Sequence, residues 1–142
     1  MEQGLLHLHN FLRWVILFFL LVALLQSMSK KPGLQKTSLW LLIAAHITLL
    51  IGLYQYFTSA VGYKLIQNNG FSAVMKDSVM RFWAVEHITG MILAIICITI
   101  ARGRAKRGAY PTILYLIALL LILAVVPWPF REGIGRPWFP GM

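Results

Sequence analysis

Acidic side chains are scarce in this chain: four Asp and Glu stand against thirteen Lys and Arg, a formal net charge of +9 over 142 residues. Cysteine is scarcer still. Cys97 is alone, so no disulfide forms within one chain, and no Cys-x-x-Cys-His exists to attach a c-type haem covalently. A glycine-rich phosphate loop, a Gly-x-Ser-x-Gly elbow and a His-Glu-x-x-His helix are also missing, which removes the usual signatures of nucleotide binding, serine hydrolysis and zinc proteolysis. Internal repeats and low-complexity tracts are absent. No convincing nucleophile or acid–base pair singles the chain out as an enzyme.

Apolar residues dominate instead. They make up 59% of the chain, with only 12% charged, far too apolar for a soluble domain of this size. Four apolar runs stand out, at about 5–28, 37–57, 79–101 and 111–127. Each approaches the ~20 residues that cross a ~30 Å hydrocarbon core. The fourth is the shortest, with Tyr110 and Trp128 at its ends. The expectation is an all-α, polytopic membrane protein: a four-helix up-down bundle in one transmembrane domain, its first two helices joined by a short connection, as are its last two. The leader MEQGLLHLHNF carries an acid and no basic cluster, and no small-residue cleavage site follows. The first run therefore reads as a retained helix rather than a cleaved signal.

The positive charge falls between these runs. Lys30, Lys31 and Lys36 separate the first two, and Arg102, Arg104, Lys106 and Arg107 the last two. Both connections are short, so the positive-inside rule places them in the cytoplasm and both termini on the outer side. The outer side also carries Lys64, Lys76, Arg81, Arg131 and Arg136. Topology and lipid headgroups account for the RGRAKRG run, and nothing else supports nucleic acid as a partner. In the longer connection, Asn68-Asn69-Gly70 marks a turn, and Phe71, Val74, Met75, Val79 and Phe82 follow with helical spacing. The tail VPWPFREGIGRPWFPGM is rich in Pro, Gly and aromatics and suits the membrane interface; partner docking is the other reading.

Buried polar residues carry the functional question. Counted from the basic ends at ~1.5 Å per residue, His46 lies roughly 15 Å deep, His87 roughly 22 Å, Glu86 roughly 24 Å, Arg13 roughly 25 Å and His9 about 31 Å. Arg13 and Glu86 match in depth and oppose in sign, so an ion pair between them would lower the penalty of both. Snorkelling of each to the outer face is the alternative. Glu86 and His87 are adjacent and project about 100° apart, so they face different neighbours. Trp83, His87 and Met91 share a face, beside Gly90, which permits close approach of a helix or a flat ligand.

Histidines on facing helices can ligate haem iron. His46 with His87 is the candidate pair, offset by ~7 Å in depth, and His9 with His87 the rival, offset by ~9 Å. Arg13 or Arg81 would neutralise the propionates. Ordinary interhelical hydrogen bonds explain the same histidines without haem, and His7 and His9 also suit the interface. A zinc site lacks a compact ligand cluster.

The stretches GLLHLHNFLRW, KDSVMRFWAVEHITGMILA, RGRAKR and VPWPFREGIGRPWF resemble a family of small bacterial membrane proteins labelled cytochrome b-like, and the likeness runs over nearly the whole chain. It implies four transmembrane helices in the bacterial inner membrane and a b-type haem serving electron transfer. His9, His46 and His87 would be its histidine positions, with Arg13 and Glu86 as companions. Four histidines in all limit the chain to one haem. Three functions stay open: a haem b protein passing electrons between quinol and a membrane-protein partner; a haem-free accessory subunit of a larger complex; and a small transport or proton-path subunit, with Glu86 and His87 as relays in a homo-oligomer.

Overall fold

The computed structural model describes residues 2–139. Among them every regular element is helical: α1 (Glu2–Met28), α2 (Leu34–Thr58), α3 (Tyr63–Asn69), α4 (Phe71–Lys76), α5 (Ser78–Arg81), a π-helical turn (Phe82–Glu86), α6 (His87–Lys106) and α7 (Thr112–Val125). The punctuation follows backbone chemistry. A turn with Lys30 at φ 53° and the Pro32-Gly33 pair separate α1 from α2. Gly70 at φ 83° breaks α3 from α4, and Gly108 at φ 88° ends the stretch before Pro111; both angles favour a residue without Cβ. Asp77 caps α5 by accepting from the Val79 and Met80 amides at 3.0 and 2.9 Å.

Three helical runs, Glu2–Met28, Leu34–Asn69 and Ser78–Lys106, are long and apolar enough to cross a membrane. The apolar α7 has 14 residues. The third run reaches Lys106, beyond the expected end at 101. The connection at 58–78 is largely helical, built from α3 and α4.

Packing is inverted relative to a soluble protein. Small residues fill much of the interior: Ala23, Ala44, Ala45, Ala94, Ala101, Ala105 and Ala118 are buried around Leu20, Leu41, Ile98 and Tyr115. Large side chains point outward, with Phe18, Leu25, Leu50 and Ile113 all more than 60% exposed. Small residues let backbones approach closely where apolar surroundings give no hydrophobic drive to pack. Gly90 belongs to this set. A Cβ there would lie 2.5 Å from a Val125 methyl, so the close approach that Gly90 permits is that of α7.

α1 packs on α2 and α7, and α6 packs on α2 and α7. The ends are tied by polar contacts. At one end, Ser27 Oγ and Thr112 Oγ1 lie 2.7 Å apart, and Arg102 donates to the Gln35 carbonyl and Ser38 Oγ at 2.8 and 3.1 Å. Both basic connections therefore lie at the same end. At the other end, the segment after α7 folds back across α1. Trp14 Nε1 donates to the Trp138 carbonyl at 2.6 Å, and Asn10 Nδ2 to the Pro137 carbonyl at 3.2 Å.

Candidate functional site

A cavity of about 380 Å³ opens at the tail end, between α1, α2 and the start of α6. Its walls are mostly aliphatic. Polar side chains on it include His9, Asn10 and Arg13 from α1, Thr48 and Gln55 from α2, and His87 from α6. A volume of this size falls within the range of small-molecule sites.

The π turn sets the geometry. His87 donates its amide to the Phe82 carbonyl, five residues back. One extra residue per turn rotates the helix locally, and such turns recur at functional sites. Phe82 and Ala84 point inward, at 1% and 2% exposure, while Trp83 and His87 face the cavity with Met91. Tyr56 Oη donates to the Ala84 carbonyl at 2.8 Å, an outside partner for backbone in the irregular turn.

His87 Nδ1 donates to the Val125 carbonyl at 2.7 Å. A carbonyl accepts only from N–H, so Nδ1 carries the proton and Nε2 keeps its lone pair. His9 comes from the first turns of α1, and its ring centre lies 6.3 Å from that of His87, the planes 64° apart. His9 Nδ1 is buried without a partner. Gly52 makes room for this ring, since a Cβ at position 52 would lie 3.2 Å from His9 Cε1. Nothing in the linear order of the second apolar run sets Gly52 apart, so sequence reasoning passed over it.

Of the two histidine pairings, the structure brings together His9 and His87. His46 lies elsewhere: it is exposed, its Nδ1 donates to the Leu42 carbonyl at 2.9 Å, and it lines a separate groove of about 260 Å³ with Ile92, Ile96 and Thr99. The expected pairing of His46 with His87 is therefore not made. The reason is rotation: His46 projects from α2 onto its outer flank, whatever its depth.

The expected Arg13–Glu86 pair is not made either. Glu86 accepts from Arg81 Nε at 2.7 Å, within its own helical run, at a half-exposed position. Arg81 also donates to the Met75 carbonyl at 2.9 Å, so it is held away from the cavity rather than facing a propionate. Arg13 is buried, and its Nη2 donates to the Pro137 and Trp138 carbonyls at 3.0 and 2.9 Å. Its guanidinium also lies 5.0 Å from the Trp14 ring centre and 5.7 Å from that of Trp128. Arg136, from the folded-back tail, takes the cavity position expected of Arg81, 4.9 Å over Trp83.

Among the described residues no three His, Cys, Asp or Glu side chains gather as a metal cluster. The two imidazoles the site brings together, those of His9 and His87, have ring centres 6.3 Å apart and are the side chains there that could ligate a metal. The bond from His87 Nδ1 to a carbonyl is also the kind that orients a metal-ligating histidine. No protein-family model, curated protein or solved structure matches the chain.

Proposed function

We propose that this chain is a four-helix membrane protein holding one b-type haem between His9 and His87, and that it serves in one-electron transfer within a larger membrane assembly. The single observation that carries the reading is the 6.3 Å approach of two imidazoles on the wall of a largely apolar cavity. A bound haem would supply the one-electron chemistry. The chain's own residues supply the rest. His87 presents Nε2 because Val125 holds Nδ1. Gly52 leaves His9 its space. Trp83, Met91 and Ile95 provide apolar wall.

The membrane setting rests on the three long apolar runs, on large aliphatic side chains turned outward, and on α7 completing the packing. The 14 residues of α7 span about 21 Å, and the aromatic tail beyond it, Trp128 and Phe130 stacked 6.3 Å apart, makes up the distance at the interface. The shared basic end points to the cytoplasm by the positive-inside rule. Both termini then lie outside, in the bacterial inner membrane that the resemblance implies, with a quinone as the candidate small-molecule partner.

A second reading, a haem-free accessory subunit or homo-oligomer, is favoured by His46. It is a polar group exposed on an apolar flank, and an intramembrane histidine there is costly until a neighbour covers it. A reduced-minus-oxidised visible spectrum of protein purified from haem-replete cells, with haem quantified, separates the two. About one b-type haem per chain is expected. Absence of haem overturns the first reading in favour of the second.

A further inference from the structure

An α-helix ends with four carbonyls that no amide of the helix itself reaches. In α7 each of them has a donor from outside the helix. Ile122 takes the Val126 amide at 3.0 Å, Leu123 takes Trp128 Nε1 at 2.9 Å, Ala124 takes Arg131 Nη1 at 3.1 Å, and Val125 takes His87 Nδ1 at 2.7 Å. Arg131 Nη1 also reaches the Val126 carbonyl at 3.4 Å. The carbonyl that holds His87 is thus bracketed by two that Arg131 holds.

Arg131 touches the other anchor of His87 as well. The His87 amide donates to the Phe82 carbonyl, and the Phe82 ring centre lies 5.8 Å from that of His87. Phe82 is buried, and the Arg131 guanidinium sits 4.8 Å from its ring centre. One guanidinium therefore joins the end of α7 to the start of the π turn, and His87 hangs between the same two pieces. A cation suits this place, because the negative pole of the α7 dipole lies there.

We infer that Arg131 is a positioning residue for His87. By holding the carbonyls on either side of Val125 and the ring of Phe82, it fixes the acceptor for Nδ1–H and so the direction in which Nε2 points. Arg131 does not itself line the cavity. Without it the last turn of α7 has an uncapped carbonyl and frays, taking the Val125 carbonyl with it. The consequence for a bound haem rests on the proposed function; the orientation of the ring does not.

Magnetic resonance of protein carrying isotope-labelled histidine, purified in detergent without added haem, tests the orientation. The Nδ1–H signal of His87 is identified by its loss in His87→Ala. Arg131→Met removes the charge and the donors and keeps an unbranched stem. It is expected to shift or erase the His87 signal, while the Nδ1–H signal of His46, whose acceptor is in its own helix, stays in place. An unmoved His87 signal overturns the inference. A His46 signal that moves as much as that of His87 also overturns it, since general loosening is then the cause. Haem titration into the same proteins tests the consequence. Arg131→Met is expected to bind haem about tenfold more weakly than the unmodified protein, and equal affinity overturns the link between Arg131 and the site. Failure of the unmodified protein to bind haem overturns the proposed function instead, and the signal comparison alone then decides the inference. Should Arg131→Met fail to fold, Arg131→Gln replaces it in both comparisons.

Discussion

The two ends of the molecule handle polar groups in opposite ways. At the basic end they find one another: Ser27 meets Thr112, and Arg102 meets Ser38 and the Gln35 carbonyl, over a floor of buried alanines. Two atoms there, Gln26 Oε1 and Tyr115 Oη, stay without partners, but both are neutral. At the tail end an imidazole nitrogen and two guanidinium nitrogens are buried unpaired beside a cavity. Unpaired buried donors cost stability, and charged ones cost more. A protein that closes one end and leaves the other open has concentrated that cost beside its cavity, as functional sites do.

That contrast can be broken by substitution. The largest effect is expected from Gly52→Leu, which fills the space that His9 Cε1 occupies, 3.2 Å from a Cβ at that position. Haem content of the purified protein should fall to near zero because the new side chain displaces the His9 ring on the cavity wall, while thermal unfolding shifts little because the packing between helices is untouched. Gly90→Ala is expected to do the reverse. Its Cβ meets the Val125 methyl at 2.5 Å, so α6 and α7 are forced apart; overpacking of this kind costs about 1–3 kcal/mol, read as a lower midpoint in detergent unfolding. Because Val125 also accepts from His87, some loss of haem follows. The smallest effect belongs to Glu86→Gln. Its partner is Arg81 on the same run, and both side chains are more than a third exposed, at 40% and 36%; loss of such a pair costs at most about 1 kcal/mol, with haem content unchanged. A Glu86→Gln variant that lost haem would show the wrong end of the π turn to be carrying the site.

How much of this was legible beforehand divides along the helix axis. Runs of apolar residues gave the long helices, and Lys, Pro and Gly marked where they stop, because length and punctuation are written in linear order. Rotation about each axis is not. The helices are apolar nearly all round, so no polar stripe says which face turns inward. Depth alone made His46 a closer match to His87 than His9, and the structure reverses the order because His46 faces outward. Depth likewise matched Arg13 with Glu86, although a shorter-range partner, Arg81, stood ready for the carboxylate. Nothing in FWAVE announces a π turn, and the turn is what aims His87. Nor does the Pro- and Gly-rich tail reveal that it folds over α1 to bind Arg13, Trp14 and Asn10. That contact spans nearly the whole chain and depends on the helices being packed first. The shared face of Trp83, His87 and Met91, by contrast, followed from helical spacing, and all three line the cavity.

The central claim is that His9 and His87, and not His46, form the site. Haem content of three single variants, His9→Ala, His87→Ala and His46→Ala, purified alongside the unmodified protein from haem-replete cells, tests it most directly. The account predicts about one haem per chain in the unmodified protein and in His46→Ala, and loss of haem in both other variants. Full haem retention in His87→Ala, or loss on replacing His46 alone, would contradict it.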